Sequence, residues 1–348
     1  MEKLVFGTTK QGEESSLYVL ENQNHTKVKV TDFGATLVAF LFQDKDGVQR
    51  DVVLGYDTVS EYQNHSCYFG ATVGRNCNRI ENSKMVIDGK VWKVEANENK
   101  NNLHSGKNGF SQVMWEVKEV SDTHIIFAHV STQEEQGFPG NLRAEVTYTL
   151  TDQDALEIAY YGVADADTIM NFTNHSYFNL GGHDSGAVAN QKLQILADSY
   201  TPLKDSQSIP TGEIAPVEGT PMDFRTMKPI GADINADFEQ LNITKVYDHN
   251  YVLSKQAGEQ KIMANAYCEE TKIAMEASTD CCGVQLYTGD FEEAQIGKDG
   301  AVYQGRCSFC LESQFYPNAI NQDNFPSPLV KEGEVYHSKT TYRLYIKE

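Results

Sequence analysis

Three of the nine histidines lie in polar segments where a general acid or base could act. His104 follows an Asn-Asn-Leu segment, His175 lies in the string T-N-H-S-Y-F-N-L, and His249 lies between an aspartate and an asparagine. Histidine is the common proton donor or acceptor near neutral pH. Asn, Ser and Asp are equally typical of strand ends and turns. The pattern therefore leaves both a catalytic and a capping role open for each histidine.

One carboxylate stands out from the many that must lie on the surface. Glu312 follows the apolar run of residues 307–311 and precedes a Ser-Gln-Phe segment, so we expect it at the end of a buried strand. A buried carboxylate is unfavourable unless it is paired or functional. A position on the solvent face of that strand is the alternative.

Planar amides, carboxylates and guanidinium groups recur beside aromatic residues in several segments. Such groups match adjacent sugar hydroxyls, each of which is a donor and an acceptor, while rings can cover apolar C–H faces. The segments that offer them are 75–79, 223–225 and 248–250, with Gln285 and Gln314.

Metal and nucleotide cofactors are not indicated. The single pair Cys307-x-x-Cys310 has no second pair, and Cys281-Cys282 are adjacent, which is poor geometry for joint ligation. Neither G-x-G-x-x-G nor G-x-x-x-x-G-K-[ST] occurs. We therefore predict no metal and no cofactor.

The elements that must position these residues are mostly strands. Alternation of apolar and polar residues predicts strands over 28–33, 36–42, 51–54, 124–130, 142–150, 156–163, 192–197, 272–278, 284–287 and 341–346. Residues 85–94 form a predicted hairpin around Asp88-Gly89. Only 59–64 and 230–240 indicate short helices. The pattern predicts one large antiparallel all-β domain.

Composition limits the partners. The chain has 348 residues, with 29 Lys and Arg against 49 Asp and Glu, a formal net charge of −20. This acidity disfavours nucleic acid and anionic membranes, which demand a basic face, and favours a neutral ligand. We find no apolar run long enough for a membrane span and no signal peptide. Seven cysteines, an odd number, indicate reduced thiols and a cytoplasmic location.

The chain resembles the aldose 1-epimerases, the galactose mutarotases. The matching blocks follow the family's order and are residues 33–37, 52–56, 73–75 with 78–80, 102–104, 173–180, 219–225, 247–251, 284–289, and 311–314 with Asn321 and 325–326. The T-N-H-S-Y-F-N-L string and the L-E-x-Q strand are specific to it. Small departures at Ser105, Asp290 and Asn318 concern fine specificity.

The resemblance implies a fold, a reaction and a set of site residues. The fold is a large antiparallel β-supersandwich, galactose mutarotase-like, with few short helices, here as a single domain over residues 1–348. Glu312 becomes the expected general base and His175 the expected general acid. The expected sugar-binding residues are Asn78, Arg79, His104, Asp248 and Gln285. For Arg75 the resemblance favours a structural role.

The resemblance also implies a substrate. We expect a free aldohexose such as galactose or glucose, with no metal or cofactor, and a monomer or homodimer. The alternatives are a non-catalytic carbohydrate-binding protein on the same scaffold and a hexose-6-phosphate mutarotase. A glycoside hydrolase would need two flanking carboxylates, whereas the acid position here matches a histidine.

Overall fold

Strands form nearly all of the regular structure. A computed structural model describes residues 1–133, 135–253, 257–291 and 293–348. Its first strands are β1 (Glu2–Thr8), β2 (Glu14–Glu21), β3 (Lys27–Thr31), β4 (Thr36–Gln43), β5 (Gln49–Asp51), β6 (Thr72–Val73), β7 (Arg79–Ile80), β8 (Lys84–Ile87), β9 (Lys90–Lys93), β10 (Asn102–Leu103), β11 (Glu116–Val120), β12 (His124–Ser131), β13 (Leu142–Leu150) and β14 (Ala155–Ala164). The remaining strands are β15 (Thr168–Ile169), β16 (Thr173–Asn174), β17 (Lys192–Ile195), β18 (Ser199–Tyr200), β19 (Ala215–Pro216), β20 (Lys228–Pro229), β21 (Asp248–Val252), β22 (Lys261–Tyr267), β23 (Ile273–Thr279), β24 (Gly283–Tyr287), β25 (Gln295–Ile296), β26 (Val302–Tyr303), β27 (Cys310–Gln314), β28 (Leu329–Val330) and β29 (Val335–Ile346).

Three antiparallel sheets carry the architecture. The largest has the strand order β11-β12-β13-β14-β29-β23-β22-β17-β20. A second, N-terminal sheet runs β1-β2-β3-β4-β5, and a third runs β19-β18-β21-β24-β27. Crossovers place β29 between β14 and β23, so the chain's last strand lies in the middle of the largest sheet. The predicted all-β sandwich class is confirmed.

The main core lies between these sheets. Strands β13 and β14 alternate buried and more exposed residues along their length, as a sheet with one covered face requires. Their buried side chains, such as Tyr148 and Ile158, share one apolar cluster with Val284, Leu286 and Leu311 of the third sheet. The opposite face of the third sheet is therefore free to carry polar groups.

The local predictions have mixed outcomes. The hairpin over 85–94 is confirmed as β8 and β9, joined at Asp88-Gly89, and the helix over 59–64 is confirmed as α1 (Val59–Asn64). The helix over 230–240 is wrong, because the second helix is α2 (Glu239–Thr244). Residues 230–238 instead form turns, with backbone bonds such as Ala236 N–H to the carbonyl of Asp233. Asp and Asn in this segment favour turns over a helix interior.

Among the described residues, no helix is both long and apolar enough to cross a membrane.

Candidate active site

A polar cleft of about 470 Å³ opens over the third sheet. All seven residues predicted from the sequence line it, which are Asn78, Arg79, His104, His175, Asp248, Gln285 and Glu312. The structure thus brings together residues up to 234 positions apart in the chain (312 − 78).

The sheet register aligns one side of the cleft. Gln285 of β24 lies directly opposite Asn250 of β21 and Glu312 of β27. Asp248 is two residues from Asn250 and so projects from the same face. Glu312 is the middle residue of β27, the edge strand of this sheet, and does not lie at a strand end as the sequence suggested. The core on the other face holds this row in place.

Short strands position the other side. Arg79 begins β7, which pairs with β10, and His104 follows β10 directly. His175 follows β16, which pairs with β6. Because these strands are only two residues long, His104 and His175 are carried by the loops that follow them, whereas Arg79 lies in β7 itself.

A buried lysine anchors the outer wall of the cleft. Asp290, Phe291, Glu293 and Gln295 contribute this wall. Lys298, 5% exposed, follows it and donates to the carbonyls of Val38 and Val53 at 2.7 and 2.8 Å, and to Asp51 Oδ2 at 2.5 Å. These contacts hold the wall against the N-terminal sheet.

Glu312 and His175 form a buried pair at the floor of the cleft. His175 Nε2 lies 3.5 Å from Glu312 Oε2, and the two residues are only 4% and 2% exposed. The His175 ring lies between Tyr68 and Tyr177, nearly parallel to both, with centroids 5.8 and 4.9 Å away. Glu312 Oε2 accepts no hydrogen bond from the described residues. Glu312 Oε2 and the facing His175 Nε2 are therefore both available to a ligand.

Burial shifts both members of the pair towards neutrality. Desolvation raises the pKa of Glu312 well above its ordinary value, and the negative charge of Asp248 adds to this, while Arg79 opposes it. Desolvation lowers the pKa of His175 to about 4. The empty cleft therefore favours a carboxylic acid beside a neutral imidazole. Carboxylic acid with imidazole, and carboxylate with imidazolium, are the two arrangements of one proton between atoms 3.5 Å apart, so the two groups titrate as a pair.

His104 has a fixed tautomer. The backbone N–H of Asn78, whose φ is 61°, donates to His104 Nδ1 at 3.1 Å. An amide N–H can only donate, so Nδ1 must be the unprotonated nitrogen and Nε2 must carry the proton. Burial, with the nearby His175 and Arg79, also holds the pKa of His104 well below its ordinary value. His104 is therefore a neutral hydrogen-bond donor, which leaves His175 as the candidate acid.

His104, His175 and Glu312 place three donor atoms within 4.8 Å of one another, a grouping that could suggest a metal site. The sequence did not indicate this grouping. A metal-bound imidazole donates its second N–H to an acceptor, but His104 Nδ1 faces the N–H of Asn78. Its Nε2 carries the proton and has no lone pair for a metal. The residues therefore do not fit a metal ion.

The predicted sugar-binding residues are held by charge-assisted hydrogen bonds. The Arg79 guanidinium binds Glu98 in a bidentate manner at 2.7 and 2.9 Å, and its Nη1 lies 3.6 Å from Asp248 Oδ2. Gln285 Nε2 donates to Asp248 Oδ1 at 2.6 Å. Sequence reasoning missed Glu98, because one more carboxylate in a polar segment of an acidic chain carries no signal of its own.

Arg75 and His249, two further residues from the polar segments, lie away from the cleft. Arg75 is buried and donates to Ser131 Oγ and to the carbonyls of Ser131, Thr132 and Pro139 at 2.8–3.0 Å, which agrees with a structural role. His249 lies on the core face of β21, fully buried, and its Nδ1 accepts from the N–H of Asp248 at 3.2 Å. A capping role thus describes His249.

Comparisons with known proteins identify the family of this chain. The family model for aldose 1-epimerase matches residues 16–343. The galactose mutarotase of Sus scrofa is 39% identical over 97% of this chain and 96% of its own length. The aldose 1-epimerase of Escherichia coli (strain K12) is 35% identical over 95% and 96%. The crystal structure of an aldose epimerase homologue from C. elegans superposes with a TM-score of 0.88, at 30% identity, over 96% of this chain and all of the other. This chain belongs to the aldose 1-epimerase family.

Proposed function

We propose that the protein interconverts the α and β anomers of a free aldohexose such as galactose or glucose. The single observation that carries the proposal is the Glu312–His175 pair, one buried carboxyl and one buried imidazole with their reactive atoms 3.5 Å apart in a polar, sugar-sized cleft. Anomer exchange needs one base and one acid, and no electron or group transfer.

In the first half of the reaction Glu312 acts as the base and His175 as the acid. Glu312 removes the proton from the C1 hydroxyl while His175 protonates the ring oxygen O5, and the C1–O5 bond breaks to give the aldehyde. Rotation about C1–C2 exposes the opposite carbonyl face. O5 then attacks C1 as Glu312 returns a proton to the new hydroxyl and His175 accepts one from O5.

The protonation states of the pair before and after ring opening explain why the pair is buried. Ring opening starts from the ionised pair, carboxylate and imidazolium, and ends with both groups neutral. The neutral form is the one that desolvation favours in the cleft. Burial therefore drives the proton transfers that open the ring, and the cycle restores the starting state when the ring closes.

The remaining cleft residues hold the sugar while C1 turns. His104 Nε2–H is a fixed donor to a sugar oxygen, Arg79 supplies further donors, and Asp248 accepts from hydroxyls. Gln285 keeps one N–H beyond the one bound to Asp248. Fixing the C2–C6 part of the sugar leaves C1 free to rotate, which the exchange of anomers requires.

The charge of the cleft favours a neutral sugar over a phosphorylated one. Among the described residues that line it, Arg79 alone is permanently cationic, and its guanidinium is already bound to Glu98. Asp248, Asp290 and Glu293 add negative charge. A sugar phosphate would therefore meet repulsion without a free cation, which disfavours the hexose-6-phosphate alternative.

A non-catalytic sugar-binding protein or a glycoside hydrolase accounts for less of the site. A binding protein has no need for a buried Glu312 whose Oε2 is left without a hydrogen bond. A hydrolase would need a second carboxylate beside the scissile bond. Asp248 is held by Gln285 and Arg79, and Asp290 and Glu293 are exposed residues of the outer wall.

Location and assembly are also part of the proposal. Seven free thiols support a cytoplasmic location. The protein is predicted to be a monomer or a homodimer, and gel filtration would measure which form is present.

Polarimetry of freshly dissolved α-D-galactose and α-D-glucose tests the proposed activity. The purified protein should accelerate the change in optical rotation in proportion to its concentration. A change no faster than that in buffer alone would contradict the function.

A further inference from the structure

A directed series of hydrogen bonds runs beneath the cleft through Gln314. Gln314 Nε2 donates to Gln285 Oε1 at 3.1 Å and to Asn250 Oδ1 at 3.0 Å. Its Oε1 accepts from Asn78 Nδ2 at 3.4 Å and from the Cys77 thiol at 3.7 Å. Gln314 has no exposed surface, does not line the cleft, and lies two residues beyond Glu312 in β27.

The direction of the series is imposed from both ends. At one end Asp248 Oδ1 accepts from Gln285 Nε2 at 2.6 Å, so Gln285 must turn its oxygen towards Gln314. At the other end the backbone N–H of Arg79 donates to Asn78 Oδ1 at 2.8 Å, so Asn78 must turn its nitrogen towards Gln314. The two constraints meet at one side chain, which must accept on one side and donate on the other.

An uncharged amide satisfies both demands at once. The Gln314 amide donates to Gln285 of β24 and accepts from Asn78, which directly precedes β7. An ionised glutamate would lack the donor, and a methionine would lack both a strong donor and a strong acceptor. Without the donor from Gln314, Gln285 Oε1 is buried without its partner or turns towards Asp248, where oxygen meets oxygen. Asn78 in turn sets the tautomer of His104 through its backbone N–H.

From this geometry we propose that Gln314 is a positioning residue, which orients the amides of Gln285 and Asn78 and so aligns Asp248 and His104 with the sugar. The inference rests on the proposed function. It concerns binding, because Glu312 and His175 stand outside the series.

The Gln314→Met variant tests the proposal by steady-state polarimetry with galactose. The change keeps a side chain of similar length and removes both hydrogen-bonding groups. We expect KM to rise at least about 10-fold with kcat within about 3-fold of the unmodified protein, since the loss falls on binding. Gln240→Met is the matched control, because Gln240 is also buried and makes two hydrogen bonds, to the backbone of Leu203, outside the cleft. The control should leave KM unchanged.

The Gln314→Glu variant adds a pH readout that a purely structural role would not give. A protonated carboxyl can donate once, to Gln285 Oε1, and accept from Asn78 Nδ2, which keeps the connection from Gln285 to Asn78 although the bond to Asn250 is lost. The ionised form cannot donate at all. The ratio of variant to unmodified KM should therefore be small at acid pH and grow as pH rises, while the ratio for Gln314→Met should stay constant.

The outcomes separate this inference from the proposed function. An unmodified protein without mutarotase activity would overturn the function. An active protein whose folded Gln314→Met variant, checked by circular dichroism, keeps its KM would overturn the positioning role alone. If Gln314→Met does not fold, the Gln314→Glu variant decides, and a KM ratio independent of pH overturns the role.

Discussion

Replacing the Glu312 carboxyl with an amide should abolish mutarotation while stabilising the folded protein. The Glu312→Gln variant keeps the shape of the side chain and loses its ability to accept the C1 hydroxyl proton. General acid–base catalysis contributes about 10²–10⁴-fold, so kcat should fall at least about 100-fold. KM should change less, because Arg79, Asp248 and His104 are untouched.

The stability effect follows from the raised pKa of Glu312. Between the pKa of Glu312 in the unfolded chain and its higher pKa in the fold, the folded state binds more protons than the unfolded state. The free energy of unfolding therefore decreases as pH rises, by about 1.4 kcal/mol per pH unit across that window. Glutamine does not titrate, so Glu312→Gln escapes this loss.

Thermal unfolding at two pH values, followed by circular dichroism, measures the effect. The difference in melting temperature, Glu312→Gln minus the unmodified protein, should be larger at pH 8 than at pH 5. Glu119→Gln is the matched control, because Glu119 is exposed on β11. An equal difference at both pH values would show that Glu312 is not buried as a neutral acid, and a near-normal kcat would remove it from the mechanism.

Three further expectations concern pH, binding and metal. First, kcat/KM should fall below about pH 4, where His175 is protonated as well as Glu312, and again at high pH, where both groups are deprotonated. A fall on the acid side centred near the ordinary histidine pKa of about 6.5 would contradict the buried pair. Second, Asp248→Ala should raise KM roughly 10- to 150-fold, the value of a hydrogen bond to a charged group. Equal factors for galactose and glucose would show that Asp248 does not distinguish C4, and an unchanged KM would leave it a purely structural carboxylate. Third, EDTA should leave the rate unchanged, since His104 cannot ligate; loss of activity restored by a divalent ion would contradict this.

Much of the fold could be predicted from local patterns. The predicted strand over 142–150 coincides with β13, and the Asp-Gly hairpin and α1 are confirmed, because alternation and turn residues act over a few positions. The prediction of a short helix over 230–240 was wrong, because turn-forming residues prevail there. Sequence reasoning also missed β1 and β2, whose pairing with the rest of the N-terminal sheet no local pattern reveals.

The candidate site was predictable as a set of side-chain types and motifs. Those motifs identified seven residues that the structure places around one cleft. Their order along the chain could not show that Glu312 lies directly opposite Gln285, or that Gln314 joins Gln285 to Asn78. Such contacts depend on strand register between segments far apart in sequence.

Motifs in the sequence showed the resemblance to the aldose 1-epimerases, which implied the reaction, and they identified the side chains available for it. Only the tertiary structure decided where the protons reside. It buries Glu312 and His175, which shifts the pKa of each group towards its neutral form, and it directs the Asn78 N–H at His104, fixing that histidine as a donor. The physical reason is that desolvation and hydrogen-bond direction are set by what surrounds a group, and distant parts of the chain supply those surroundings.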